Sequence, residues 1–249
     1  MAVSGFAKNY RAKMFSGAFP AWEQTDPEFA ELFENFAFDE VIRQNDLDDR
    51  TRCMAILAAL IGSQSIDAYK CFLPDVLHQG ITPAEVQEIV YQAVAYLGLG
   101  RVFPFLNATD EILAASQVSL PSESRRTVGA ENRIQSGEQA QIDIFGETMR
   151  GFSSSGAEEI RHINRWLSAN CFGDYYTRKG LDYRTREMLT FCFLLAQGGC
   201  EPQLVSHAKA NLRIGNDKSF LIKVLSQCLP YIGYPRSLNA LRCIEEAAR

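Results

Sequence analysis

Apolar residues along the chain recur at the spacing of an α-helix. After the Asp26–Pro27 pair they fall at positions i, i+3, i+4 and i+7, namely Phe29, Leu32, Phe33 and Phe36. Aspartate followed by proline is a typical helix start, because the carboxylate caps the first turn and proline suits its first position. The pattern predicts a helix over residues 27–44.

Further helix starts lie downstream. Asp48 precedes a stretch that carries Met54, Leu57, Leu60 and Ile61 at helical positions. Thr82-Pro83-Ala84-Glu85 combines capping-box spacing with a first-turn proline and predicts a helix ending near residue 98. Helices are also predicted over residues 157–171 and 216–231. No stretch alternates apolar and polar residues between turn residues, so the sequence predicts an all-α protein.

Two marker segments occur twice, in the same order. Leu47–Met54 matches Leu181–Met188 at six of eight positions with an offset of 134 residues. Tyr96–Arg101 matches Tyr231–Arg236 with an offset of 135 residues. Because the markers repeat in order, we infer a tandem duplication that gives two similar helical units related by an approximate two-fold axis.

The duplication sets the expected domain organisation. We place the first unit at residues 1–115, an exposed connection at 116–136 and the second unit at 137–249, with a short loop at 151–156. Each unit should cover an apolar face of the other. The expected core residues are Phe29, Phe33, Met54, Leu57, Leu60, Met188, Phe191, Leu195 and Leu212.

The composition excludes several classes of protein. Hydrophobic residues make up 47 % and charged residues 22 %, the balance of a globular protein. The net charge of −5 and the lack of a basic block argue against nucleic acid or an anionic membrane as a partner. The longest apolar run, Met54–Ile61, is too short to span a bilayer, and no secretory signal is recognised. Seven cysteines without a dense framework are expected to be reduced, which predicts a cytoplasmic protein.

Three reactive residues of the second unit differ from their counterparts in the first. They are Glu187, Cys200 and His207, which align with Cys53, Ser65 and Phe72. Cys200 lies in a Gly-Gly-Cys-Glu-Pro segment at a predicted helix start, where the partial positive charge favours a thiolate. His207 follows two turns later on the same face, about 10 Å away if both residues are helical.

These three side chains are the parts of a proton relay, provided that Glu187 faces the other two across an antiparallel helix pair. The asymmetry predicts a site in the second unit alone, although neutral drift is the alternative. Three dispersed histidines without a short-spaced cysteine or carboxylate set do not indicate zinc, so no metal or cofactor is expected.

The second unit resembles the carboxymuconolactone decarboxylase family, which includes the alkylhydroperoxidase AhpD. The resemblance rests on Arg186-Glu187, Gly199-Cys200, His207, Gly215 and Tyr231–Pro235. It covers residues 160–249 well and 30–115 more weakly, and it implies two tandem AhpD-like helical units. In AhpD-like members the site reads Glu, then Cys-x-x-Cys-x-x-x-His, so the resemblance assigns catalytic positions to Glu187, Cys200 and His207.

One position departs from that motif. Gln203 stands where the second cysteine is expected, so the usual disulfide cannot form. A peroxide-reducing cycle would then need Cys171, Cys192 or an external thiol reductant as the resolving partner.

Three functions follow. The first is thiol-dependent peroxide reduction of the peroxiredoxin type, in which Cys200 attacks the peroxide. The second is decarboxylation of a small carboxylated lactone or related acid, with His207 as proton donor and Arg184 or Arg186 holding the carboxylate. The third is a non-catalytic ring protein that binds a ligand.

The resemblance also makes spatial predictions. We expect a pocket in the second unit, contacted by Glu187, Cys200, Gln203 and His207, that takes a small-molecule substrate. The equivalent place in the first unit should be filled by Phe72 and its neighbours. Members of the family assemble six units in a ring, which implies a homotrimer of this two-unit chain.

Overall fold

The computed structural model describes residues 2–15, 22–116 and 123–249, and no β-strand occurs within these ranges. The all-α prediction is confirmed. The first unit contains α1 (Gly5–Met14), α2 (Pro27–Asn35, continued by Phe36–Glu40 and Val41–Arg43), α3 (Asp49–Gly62), α4 (Ile66–His78), α5 (Pro83–Leu97) and α6 (Leu99–Ala115). The second unit contains α7 (Arg133–Phe145), α8 (Arg161–Trp166, continued by Leu167–Tyr176), α9 (Tyr183–Gln197), α10 (Glu201–Arg213), α11 (Lys218–Ile232) and α12 (Tyr234–Ala247). Short helical turns occur at Trp22–Thr25, Glu147–Met149 and Phe152–Ser154.

The predicted caps start the helices. Asp26 and Asp48 each accept a hydrogen bond from a backbone N–H three residues on. Thr82 and Glu85 form the reciprocal capping box that opens α5. The helix expected from residue 157 begins instead at Arg161. It continues to Tyr176, because a π-helix over Leu167–Tyr176 extends it beyond residue 171.

The connection between the units is shorter than its predicted range. Helix α7 already begins at Arg133, whereas residues 117–122 lie outside the described residues. Two residues of the connection are anchored: the Arg125 guanidinium donates to the Ala84 carbonyl (2.6 Å) and the Thr127 hydroxyl to the Thr177 carbonyl (2.8 Å). The described part of the connection, from residue 123, therefore contacts both units.

Two reciprocal contacts express the pseudo-two-fold symmetry. The buried Arg52 on α3 donates from Nε to Gln227 Oε1 on α11 (2.9 Å). Its counterpart Arg186 on α9 donates from Nη1 to Gln92 Oε1 on α5 (3.0 Å). Each unit thus places a buried arginine against a glutamine of the other, and the helices match in the same order.

Helices α3 and α9 cross at the centre of the molecule. A Cβ on Gly62 would lie 2.7 Å from the Phe193 carbonyl oxygen and 2.8 Å from the Ala196 Cβ, so the two backbones approach as closely as glycine allows. Most expected core residues are buried around this crossing, namely Met54, Leu57, Leu60, Met188, Phe191 and Leu195.

Three expected core residues are not fully buried. Phe33 and Leu212 are half-buried, and Phe29 is 42 % exposed. Phe29 was wrongly expected in the core, because α2 lies at the periphery and turns Ala30 and Glu34 inward instead. Within the described ranges, no helix combines the length and apolar character needed to cross a bilayer.

Candidate active site

A buried carboxylate–imidazole pair forms the centre of the candidate site. Glu187 on α9 and His207 on α10 face each other across an antiparallel helix pair, and Glu187 Oε2 lies 2.7 Å from His207 Nδ1. Glu187 is fully buried and His207 is 8 % exposed. Because Nδ1 is occupied by the carboxylate, Nε2 is the ring nitrogen left for a substrate.

A chain of hydroxyl groups leads to the other oxygen of that carboxylate. The Tyr176 hydroxyl donates to Glu187 Oε1 (2.7 Å), and the Tyr96 hydroxyl donates to Tyr176 (2.8 Å). The Thr190 hydroxyl lies 2.6 Å from the Tyr176 oxygen. Burial raises the pKa of Tyr96 and Tyr176 well above the usual value, so both phenols keep their protons. The chain of donors stabilises the Glu187 carboxylate and fixes its orientation.

The backbone around the pair is also tied down. Asn211 Nδ2 donates to the Glu187 carbonyl (3.0 Å) and to the His207 carbonyl (2.8 Å), which joins α9 to α10. Asn216 Nδ2 in turn donates to Asn211 Oδ1 (2.8 Å). These bonds set the separation of the two helices and hence that of the two side chains.

His207 lines a cavity of about 570 Å³ that draws on both units. Tyr96 of the first unit and Phe145 of the second each meet the imidazole ring edge-on, with ring centroids 5.3 Å away. Among the described residues, no Asp, Glu, Lys or Arg lines this cavity. Its other lining residues are Ala95, Gln141, Met149, Leu167, Cys171, Phe172, Leu194, Gln197, Cys200, Gln203 and Ser206.

Close helix packing positions the cavity wall. A Cβ on Gly137 of α7 would lie 1.8 Å from the Ser168 carbonyl oxygen of α8, and one on Gly173 would lie 2.2 Å from the Arg133 carbonyl oxygen. Both glycines are therefore required by the contact. The contact lets α7 present Phe145 and α8 present Phe172 to the same space.

Cys200 lies at the cavity as the N-cap residue of α10, as the sequence predicted. Its thiol donates to the Leu194 carbonyl, with Sγ 3.5 Å from the oxygen. The expected preference for a thiolate is not found, because burial and the Glu201 carboxylate raise the pKa of Cys200 against the opposing charge of Arg101. Desolvation of the thiol is the largest cause of this shift in its pKa.

The two internal candidates for a resolving thiol differ in position. Cys171 lines the same cavity as Cys200, and burial raises its pKa to about 12. Cys192 is fully buried in the core, next to Cys228, and does not line the cavity. All seven cysteines are free.

Gln203 lines the cavity, whereas the two arginines do not. Arg186 is fully buried and donates to Glu88 Oε2 (3.0 Å) as well as to Gln92. Arg184 donates to the Gly215 carbonyl (2.9 Å). Both guanidinium groups are therefore engaged in holding the fold, away from the substrate space that they were expected to serve.

The counterpart of the cavity in the first unit is closed. A residual space of about 10 Å³ remains there, lined by Phe72, Phe15, Phe38 and Tyr231 among others. The Phe72 ring packs against Phe15 and Tyr231, with centroid distances of 5.6 and 6.4 Å. Phe72 thus fills this place, as the sequence predicted.

Sequence reasoning missed the hydroxyl chain and Gln141. Tyr176 aligns with Ile42 and Thr190 with Ile56 at the offset of 134 residues, so comparing the units position by position would have exposed both. Gln141 lies on α7, where no repeated marker was found. Across the described ranges, no group of three or more His, Cys, Asp or Glu residues is arranged to hold a metal ion.

Comparison with known proteins agrees with the duplicated fold. The model of the carboxymuconolactone decarboxylase family matches the chain twice, at residues 27–111 and 161–246. A 4-carboxymuconolactone decarboxylase of Acinetobacter baylyi is 28 % identical over 117 residues, which cover 47 % of this chain and 87 % of that protein. A solved structure from Burkholderia xenovorans, assigned as a gamma-carboxymuconolactone decarboxylase subunit, shares the fold with a TM-score of 0.58 and 19 % identity. That match covers 97 % of this chain and 95 % of the other.

Proposed function

Because this chain belongs to the carboxymuconolactone decarboxylase family, we propose that its second unit is a carboxy-lyase for a small carboxylated lactone or a related acid. The observation that carries the proposal is the Glu187–His207 pair at the wall of a cavity without Asp, Glu, Lys or Arg among the described residues. The curated relative named for this reaction supports it.

The reaction needs a proton donor at carbon. The bond between the substrate carbon and its carboxylate breaks, the electron pair stays on the substrate, and carbon dioxide leaves. His207, protonated and held by the Glu187 carboxylate, gives its Nε2 proton to that carbon and regains one from water. One proton is consumed for each carbon dioxide released.

Apart from the His207 imidazolium, whose charge Glu187 balances, the apolar lining of the cavity favours the loss of the carboxylate. A carboxylate without a lysine or arginine partner is poorly solvated there, whereas carbon dioxide is neutral. Aromatic and aliphatic walls such as Phe145, Phe172 and Leu194 exclude water from the reacting group. Compared with water, the cavity therefore destabilises the carboxylate substrate more than it destabilises the neutral carbon dioxide.

Peroxide reduction is the second candidate, and the shared cavity of Cys171 and Cys200 is the observation that favours it. Cys200 would take one peroxide oxygen to give a sulfenic acid and an alcohol. Cys171 would then displace water to form a disulfide, which an external dithiol would reduce. Against this candidate, the pKa of each thiol is raised, so neither is poised as a nucleophile.

Two variants separate the candidates. Carbon dioxide release from 4-carboxymuconolactone and simpler lactone acids is measured with wild-type protein, His207→Gln and Cys200→Ser. We expect His207→Gln to lower the rate by about 10²–10⁴-fold and Cys200→Ser to retain it. Peroxide consumption that requires Cys200, without carbon dioxide release, would establish the second candidate. If the protein catalyses neither reaction, the third hypothesis, a ligand-binding ring protein, is the one that remains.

We also propose that the chain assembles into a homotrimer. Exposed apolar side chains recur at equivalent positions of the two units, as an interface repeated around a ring requires. The residues of the first unit and their counterparts in the second are Phe29 and Ile163, Leu32 and Trp166, Leu99 and Tyr234, and Phe103 and Leu238. The structural relative is named as a subunit, which is in keeping with an assembly.

A further inference from the structure

Two polar atoms in the wall of the His207 cavity have no hydrogen-bond partner in the described structure. They are Gln141 Nε2 and Gln197 Oε1, and both are buried. Gln141 is fully buried, and its other amide atom, Oε1, accepts a hydrogen bond from the Ser168 hydroxyl (2.6 Å). Leaving a buried amide donor unused costs free energy, so a group kept in this state requires a reason.

Gln141 lines the same cavity as the candidate proton donor. It is four residues before Phe145 on α7, so the two side chains share one face of that helix. Phe145 is in edge-on contact with the His207 ring. Gln141 therefore lies about one helical turn along α7 from Phe145, the residue that contacts the imidazole.

We propose that Gln141 Nε2 binds the carbonyl oxygen of the substrate and stabilises the negative charge that develops there. The inference rests on the proposed function and names its substrate class: a carboxylic acid that carries a conjugated or neighbouring carbonyl, such as a lactone acid. When the bond to the carboxylate breaks, the electron pair moves towards this carbonyl and gives an enolate oxygen. The Gln141 N–H meets that oxygen while His207 delivers the proton to carbon.

A neutral donor suits this position better than a cation. Lysine or arginine would pair with the substrate carboxylate and stabilise the ground state as much as the transition state, which does not raise the rate. An amide N–H gains strength as charge develops on the carbonyl oxygen. Gln197 Oε1, the second unused atom, offers an acceptor for a hydroxyl group or a water molecule that enters with the substrate.

A pair of inert ligands tests the proposal without any turnover. 5-Oxotetrahydrofuran-2-carboxylate and tetrahydrofuran-2-carboxylate share ring and carboxylate and differ in the carbonyl oxygen. Calorimetric titration should show that wild-type protein prefers the first acid. Gln141→Met should weaken binding of the first acid by about tenfold and leave the second unchanged.

Gln139→Met is the matched control, because Gln139 is exposed on the same helix and its side chain bonds to Asp143. Equal affinity of wild-type protein for the two acids, equal weakening of both by Gln141→Met, or no binding of either acid would overturn the proposal. A carbonyl preference that depends on Gln141, in a protein that releases no carbon dioxide, would retain this inference and reject the carboxy-lyase function.

Discussion

Phe72 occupies in the first unit the position that His207 occupies in the second. The replacement is part of a larger set, because six polar residues that the second unit contributes to the His207 network have apolar or weakly polar counterparts. The aligned pairs are Tyr176 and Ile42, Glu187 and Cys53, Thr190 and Ile56, His207 and Phe72, Asn211 and Val76, and Asn216 and Ile81. A buried polar network that is half retained leaves groups unpaired, so the network is kept or lost as a whole.

Glu187→Gln should lower the rate of carbon dioxide release by about ten- to a hundredfold. The amide still reaches His207 but no longer supplies the negative charge that stabilises its protonated form. Steady-state rates and the thermal midpoint are measured together. Glu245→Gln, an exposed change on α12, is the control, and an unchanged rate in Glu187→Gln would contradict the assignment.

Tyr96→Phe should reduce the same rate by about three- to tenfold, with little change in KM. The ring and its contact with His207 remain, whereas the hydroxyl that donates to Tyr176 is lost. Tyr91→Phe on the same helix is the matched control, because the hydroxyl of Tyr91 accepts only from Gln87 among the hydrogen bonds described. Equal effects of the two substitutions would show that the first unit merely supports the fold of the site.

Alkylation of Cys200 by iodoacetamide should be slow at neutral pH. Because the pKa is raised, the Cys200 thiol stays protonated at pH values where an ordinary cysteine thiol begins to ionise. The thiolate fraction increases only as the pH rises through the shifted pKa. Modification of the peptide that contains Cys200 is followed by mass spectrometry between about pH 6 and about pH 10. A rate at neutral pH above that of free cysteine would contradict the pKa direction and revive the peroxidase candidate.

Gly137→Ala should destabilise the protein by about 1–3 kcal/mol and reduce activity, because the new Cβ collides with the Ser168 carbonyl oxygen. Gly100→Ala is the control, since no atom lies within 4 Å of a Cβ at that helical position. The control should be neutral or stabilised by up to about 1 kcal/mol. Denaturant unfolding measures both, and equal stability of the two variants would refute the close contact of α7 and α8.

Light scattering at micromolar concentration should give a mass of about 84 kDa, three times the 27.9 kDa chain. Trp166→Glu should shift the mass downwards, because it places a charge within the exposed apolar set. Lys218→Glu changes the charge of an exposed residue outside that set and should leave the mass unchanged. A wild-type monomer would refute the assembly, and a dimer would refute the ring.

Local signals and repetition made most of the fold predictable. Aspartate, threonine and proline at helix starts act through neighbouring backbone groups, so Asp26, Asp48 and Thr82 could be interpreted without tertiary information. The alignment of the units also identified Glu187 and His207, which the structure brings together.

Other features depend on packing that a sequence does not display. Phe29 has the spacing of a core residue, but the orientation of α2 at the periphery decides its exposure. The direction of the shift in the Cys200 pKa depends mainly on burial, which the sequence does not display. Arg186 resembled a substrate ligand until its partners Glu88 and Gln92 were located on α5, about 95 residues away along the chain.

The reciprocal arginine–glutamine contacts make each half of the chain depend on the other. The positive charge of Arg186 is balanced by Glu88, which belongs to the other half, so an isolated second half would lose this counter-charge. A second half expressed alone is therefore expected to be unstable. The first half thus contributes to the stability of the second, and we expect both halves to unfold in one transition.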